Sequence, residues 1–367
     1  MTRLPLSRRQ FVASSLAACA LPTWLQAAEK QTTEVPWLAD VQRVPKVLPE
    51  HAPRLSPLLV DDQGRPITTL AGWQEKRRQI RRWWLDFLKP LAIDRKGPPP
   101  LHVLAEDRND GVVRQLVRYE VEPDVPCDAY LLKPIDRQAR CPGVVVLHST
   151  VNHTIRQPAG VEGLPEKAFG LKLARRGCVA FCPRNFLWVT DGEAFDRQQV
   201  DRLQARHPGS KGMAKMLYDA QVAVDILAGM SEIDPDRLGA VGHSLGAKEV
   251  LYLAALDERV KVTASSEGGI GTRFCNWDAP WYLGEEIRRE TFAHEHHELL
   301  ALVAPRAFLL LGGDRSDGDH SWPFIEAVLP VYKLYGPTAR VGLFNHKKGH
   351  SVPPEAERAI YEWLAQL

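Results

Sequence analysis

The segment Gly242-His243-Ser244-Leu245-Gly246 sets a serine between two glycines. An apolar run over residues 238–241 precedes it, and a helical pattern around residues 247–256 follows. G-x-S-x-G between a strand and a helix holds a serine hydroxyl out on a sharp turn. Gly242 and Gly246 remove side chains that would block that turn. The backbone N–H of Leu245, at the positive end of the following helix, can stabilise an oxyanion. Alone, the five residues would also suit a plain tight turn. The flanking strand and helix favour nucleophilic catalysis by Ser244.

The elements around the motif read as an α/β chain. Residues 101–104, 112–121, 129–132, 144–147, 178–182, 238–241, 260–264, 307–311 and 341–344 are strand-like. Helices are expected over 73–91, around 214–228 and 247–256, and over 355–367. In the first of these, Ile80, Trp83, Trp84, Phe87 and Leu88 recur at i, i+3, i+4, i+7 and i+8. Apolar strands alternating with helices imply a mostly parallel sheet covered on both faces, here behind antiparallel N-terminal strands. Residues 29–98 are expected to form an N-terminal arm and helix, the arm carrying six prolines between Pro36 and Pro66, and residues 99–367 a catalytic domain.

The nucleophile motif in this setting resembles the α/β-hydrolase superfamily over about residues 100–367. That resemblance implies the chain order serine, acid, histidine. Asp314 follows the strand at 307–311, and His350 follows the strand at 341–344 in a Gly-His-Ser loop. His350 is expected to take the proton of Ser244 and return it to the leaving alcohol; His346 is its nearest rival. Asp314 is the expected acid, and Glu267, past the strand at 260–264, is the alternative. The loop after residues 144–147 should supply the second oxyanion donor, at Ser149, beside Leu245.

Finer motifs resemble carbohydrate esterases: the nucleophile segment extended through Ala247-Lys248, Asp257-Glu258-Arg259, Glu267-Gly268-Gly269, and His296-His297-Glu298-Leu299 before Ala304-Pro305-Arg306. They are similar to acetyl xylan esterases or dienelactone-hydrolase-like proteins, and in part to glucuronoyl esterases. The latter resemblance implies that Lys248 binds substrate and that Glu267 is the acid in some members. Leu245 departs from it, because that family has an arginine there. Ser244 departs from the dienelactone hydrolases proper, which use cysteine. Trp188, Trp277, Trp281 and Trp322 fall beyond carboxyl ends of strands, the ligand side of such a sheet; the first three are candidate sugar-stacking residues, with burial in the core as the competing reading. The expected activity is that of an exported serine ester hydrolase, working through an acyl-enzyme on a carbohydrate ester. Acetyl esters rank ahead of uronate esters, a serine peptidase comes next, and a non-catalytic binding protein last.

Residues 1–28 read as a twin-arginine-type signal: Arg8-Arg9, a short apolar run and small residues near Ala28. The expected location is therefore periplasmic or secreted. The run is too short for the roughly 20 residues of a membrane span. Leu16-Ala17-Ala18-Cys19 also fits a lipoprotein signal, ranked second. The chain has 367 residues, with 44% hydrophobic and 25% charged side chains and a net charge of +2. That is ordinary globular composition. Removing Arg3, Arg8 and Arg9 with the signal leaves −1, which provides no footprint for nucleic acid. A mean hydropathy of −0.26 excludes a polytopic membrane protein. Of six cysteines five remain after the signal, and Cys178 and Cys182 stand roughly 13 Å apart along one strand, too far for a disulfide. Buried thiols are expected. His294-Glu295-His296-His297-Glu298 lacks the H-e-x-x-H spacing of a zinc helix, so a structural role is preferred. No cofactor is expected; the partner is a small-molecule or polysaccharide ester.

Overall fold

A computed structural model describes residues 35–367 apart from 95, 137–139, 191 and 194. Residues 1–28, read above as an export signal, and with them Cys19, lie outside the described residues. All nine strand-like runs pair into one sheet: β1 (His102–Asn109), β2 (Val112–Glu122), β3 (Val125–Pro134), β4 (Cys141–Leu147), β5 (Val179–Pro183), β6 (Ile233–His243), β7 (Val260–Ser266), β8 (Ala307–Gly312) and β9 (Val341–Asn345). Their order is β1-β2-β3-β5-β4-β6-β7-β8-β9. The β1, β2 and β3 strands are antiparallel, and β3 meets β5 antiparallel. From β5 to β9 every pairing is parallel.

Alternation along the central strands assigns residues to the two faces. On β4, Val145 and Leu147 enter one core while Val144 and Val146 enter the other. On β8, Phe308 and Leu310 face the first core, and Ala307, Leu309 and Leu311 the second. The first core is covered by α1 (Leu70–Leu88), α4 (Gly212–Gly229), α5 (Leu245–Leu256), α6 (His297–Val303) and α7 (Trp322–Lys333). The second is covered by α2 (Phe169–Ala174) and α8 (Pro354–Leu364); α3 (Gln198–Arg206) buries only Val200 and Leu203. Burying a single Leu, Val or Phe contributes about 1.5–3 kcal/mol, so these two layers dominate stability.

Strands β1, β3 and β6 run longer than the expected 101–104, 129–132 and 238–241, and the N-terminal region departs from expectation in two ways. The helix expected to reach Leu91 stops at Leu88, because Lys89, before Pro90, adopts a left-handed cap with φ 51°; the proline disfavours helical geometry at the residue ahead of it. The proline-rich arm is not simply extended. Residues 36–43 turn, and Leu343 N donates to Val41 O at 2.9 Å. Gln42 Nε2 donates to Val341 O at 2.9 Å, and Trp37 stacks on Trp363 at 5.8 Å. The arm thereby covers the β9 edge, which would otherwise offer unpaired backbone groups.

Strand β4 has β5 on one side and β6 on the other, and the connections after β4 and β6 depart in opposite directions. Such a switch point opens a crevice at the carboxyl ends of the strands. Ser149, Ser244, Glu267, Asp314 and His350 all lie just beyond carboxyl ends, of β4, β6, β7, β8 and β9 respectively.

Candidate active site

Ser244 joins β6 to α5 with φ 59° and ψ −113°. A non-glycine residue in such a region costs of order 1–3 kcal/mol and persists only where its surroundings enforce it. They do so here. Ser244 N donates to Ser266 O at 2.8 Å. A Cβ on Gly242 would fall 2.2 Å from the Gly246 carbonyl carbon, and one on Gly246 would fall 2.1 Å from Leu147 O. Both glycines are required by close approach.

The carboxylate that meets His350 is Glu267, not Asp314. His350 Nδ1 lies 3.0 Å from Glu267 Oε2. Glu267 is buried, with φ 55°, and its carboxylate also accepts from Ser316 N at 2.9 Å and from Gly313 N. Burial pushes this carboxyl up, but the His350 bond and the Ser316 and Gly313 amides outweigh it and hold the group below its ordinary value. Asp314 is exposed, and its Oδ1 accepts from Asn345 Nδ2 at 2.7 Å. The reason is the curl of the loop after β8. Gly313 N and Asp314 N both donate to Asp317 O, at 3.1 and 2.9 Å. This tight turn presents backbone amides to Glu267 and sends the Asp314 side chain toward β9.

His350 is brought in by another close approach. Gly349 N donates to Gly313 O at 2.7 Å, and a Cβ on Gly313 would sit 2.0 Å from Gly349 O. The His350 ring packs on His243, the chain neighbour of Ser244, at 4.6 Å. Burial keeps His243 neutral, with its Nδ1 3.0 Å from Ser266 Oγ. His346 instead accepts from Lys348 N through Nδ1 at 3.1 Å, within its own loop.

Leu245 is the first residue of α5, where helix N–H groups are unpaired. Ser149 follows β4, and its buried hydroxyl has no protein partner among the described residues. Its backbone is held by His148, whose Nδ1 donates to Ser149 O at 2.7 Å while Nε2 accepts from Asn185 N at 3.1 Å. His148 therefore orients the loop.

The expected substrate residues are placed differently. Lys248 is buried; its Nζ donates to Gly268 O at 2.5 Å and lies over the Trp277 ring at 4.1 Å. Burial lowers this ammonium to about 8. Trp277 is fully buried, and its Nε1 donates to Gly269 O at 2.7 Å. Trp188 and Trp322 are buried too, Trp188 against His148 and Phe195. Their rings are consumed by packing, so neither Trp188 nor Trp277 presents a free face to a sugar. Trp281 stays half-exposed, edge-on to Phe195 at 4.9 Å.

The histidine-rich segment disperses into separate contacts. His294 pairs with Glu298 at 2.8 Å, Glu295 accepts from Thr272 N at 2.9 Å, His296 Nδ1 donates to Ile270 O at 2.7 Å, and His297 reaches Ser56 O at 3.0 Å. Asp317 is a residue the spacing did not single out. Fully buried, it accepts from Gly269 N at 2.6 Å and Ile270 N at 2.8 Å. The described cysteines are free thiols, four of them buried.

A serine on a strained strand-to-helix turn after β6, a carboxylate after β7 and a histidine after β9 of a mostly parallel sheet define the architecture. Residues 127–276 match the model of the Dienelactone hydrolase family. The fold is the α/β-hydrolase fold. The chain is 24% identical over 310 residues to YtaP of Bacillus subtilis (strain 168), a protein described as a hydrolase, covering 79% of this chain and 99% of YtaP. Its fold is similar to that of a glucuronoyl esterase from Solibacter usitatus, with TM-score 0.66 and 17% identity over 87% of this chain and 99% of that one. It is also similar to a protein described as an acetyl xylan esterase from Bacteroides fragilis NCTC 9343, with TM-score 0.59 and 15% identity over 80% of this chain and 79% of that one.

Proposed function

We propose that the chain is an exported serine ester hydrolase that acts on a carbohydrate ester through an acyl-enzyme. The observation that carries this reading is the 3.0 Å bond between His350 and Glu267, set beside the strained Ser244 turn. Glu267 fixes the tautomer in which His350 Nδ1 carries the proton, leaving Nε2 free to accept one. Ser244 Oγ attacks the ester carbonyl while His350 takes its proton. The backbone N–H groups of Leu245 and of the Ser149 loop receive the oxyanion. His350 protonates the departing alcohol, and water then repeats the sequence on the acyl-enzyme.

A carbohydrate ester is supported by the kinds of protein the fold resembles and by the openness of the site. The His350 side chain is 37% exposed, which suits an ester borne on a polymer. A small acyl ester of a sugar hydroxyl is preferred to a uronate ester, because Leu245, buried in the first core, supplies no cationic donor to the oxyanion and backbone donors suffice for acetyl transfer. The second reading, a uronate ester, is favoured by Glu267 as the acid, the arrangement that the glucuronoyl-esterase resemblance implied. Export rests on Arg8-Arg9 and the short apolar run after them.

A fluorophosphonate should label Ser244, and Ser244→Ala should lower kcat by about 10⁴–10⁶ with folding intact. Labelling at another serine would overturn the assignment. The ratio of kcat/KM on acetylated xylo-oligosaccharide to that on methyl glucuronate separates the two ester classes.

A further inference from the structure

The turn that carries Glu267 is held by buried side chains at five consecutive backbone groups. Gly268 O accepts from Lys248 Nζ at 2.5 Å, and Gly269 O from Trp277 Nε1 at 2.7 Å. Gly269 N and Ile270 N donate to Asp317, and Ile270 O accepts from His296 Nδ1 at 2.7 Å. All four side chains are at most 4% exposed. The turn needs such a clamp, because Glu267 at φ 55° and Gly269 at φ 73° are both left-handed.

We infer that Lys248 is a positioning residue that fixes the Glu267–Ile270 turn and through it the triad acid, rather than a ligand for the sugar. The inference rests on the reading of Ser244, Glu267 and His350 as a triad. The ammonium is sandwiched between the Gly268 carbonyl and the faces of Trp277 and Tyr282, at 4.1 and 5.4 Å. Those contacts saturate it on the protein side and leave it almost no surface for substrate. It sits one helical turn beyond Ser244 on α5, so a single helix sets both the nucleophile and the clamp on the acid. Without its donor, Gly268 O is left in a dry site with no partner, and the backbone relaxes toward ordinary φ. Glu267 is the next residue back, so its carboxylate turns with the relaxation and its bond to His350 lengthens. Misplacement of a catalytic group by about 1 Å costs on the order of 10²-fold in rate.

The test is Lys248→Met, which keeps an unbranched side chain, one heavy atom shorter, and removes the donor. Turnover is measured on p-nitrophenyl acetate, which has no sugar, and on acetylated xylo-oligosaccharide. The expected result is a fall in kcat of about 10- to 100-fold on both esters with KM unchanged. The low-field proton resonance of the His350–Glu267 bond should also move upfield or broaden. A loss confined to the sugar ester and seen as a raised KM, or an unmoved proton, overturns the inference. Should Lys248→Met fail to fold, Trp277→Phe removes the Gly269 O donor and keeps a ring. A smaller but equal loss on both esters supports the clamp, and unchanged kcat with an unmoved proton overturns it. Wild type that shows the low-field proton but hydrolyses neither ester would sink the proposed function, while the proton comparison still decides the role of Lys248.

Discussion

His350 Nδ1 meets Glu267 Oε2 at 3.0 Å across the ends of β9 and β7, passing over the intervening strand β8. The acid therefore reaches the histidine from two strands away, and the loop after β8 serves as the bridge that donates amides to it. Glu267→Gln should lower kcat by about 10⁴, by analogy with acid-to-amide changes in serine triads. Asp314→Asn should stay within a few-fold of wild type. Steady-state kinetics of the two variants on one ester checks this; the opposite ranking would return the acid to Asp314.

Gly313 is the point where the histidine loop presses on the β8 loop. Gly313→Ala puts a methyl 2.0 Å from Gly349 O, so one of the two loops must shift. His350 follows Gly349 directly and should move with it. We expect kcat to fall by about 10²-fold or more, with far smaller effects on secondary structure, read by kinetics and circular dichroism.

Burial raises the Glu249 carboxyl to about 8, and its one neutral partner is Asn185 Nδ2 at 3.1 Å. Between about pH 4.5 and 8 the folded chain keeps a proton there that the unfolded chain releases. Stability therefore falls as pH rises through this window. Glu249→Gln removes that slope. The variant should gain Tm relative to wild type between pH 5 and pH 8, and an unchanged difference between the two pH values would refute the assignment. Asp219, raised to about 6 by burial, titrates in both proteins and cancels in the comparison.

Trp37 ties the arm to α8 through its stack on Trp363 and a 2.6 Å bond to Glu362. Trp37→Ala should cost about 1–2 kcal/mol in chemical denaturation, the range of an aromatic pair plus partial burial. Activity should be retained, because Trp37 packs on Phe344, Trp363 and Glu362 rather than on the loops that carry Ser244, Glu267 and His350. A loss of activity equal to that of Gly313→Ala would show the arm to be part of the site.

All nine strands were readable because each is a short run of β-branched and apolar residues closed by turn residues. The long helices were readable from their period. Helix α7 was not, since Pro323 and Pro330 lie inside it; Pro323 falls in the first turn, where no N–H is needed, and Pro330 sits near the far end. Helices α2 and α6, of six and seven residues, are too short for a period to emerge. The placement of Ser244 and His350 beyond strand ends was legible from motif and order. Which carboxylate meets His350 was not, because Asp314 and Glu267 both follow a strand end and differ only in how their loops curl in space. The tryptophans failed for a related reason: position in the chain tells which end of the sheet a ring occupies, not whether its face is already covered.

Besides His350, the groups that hold the Glu267 carboxyl low are main-chain amides of Ser316 and Gly313. A main-chain donor survives every replacement of the side chain it belongs to except proline. Asp314 and Arg315, exposed on that same loop, can thus be exchanged for other side chains without altering the charge on the acid. The rim of the site is uncoupled from its chemistry, so one set of reacting groups can serve many substrates as the surface around it is rewritten.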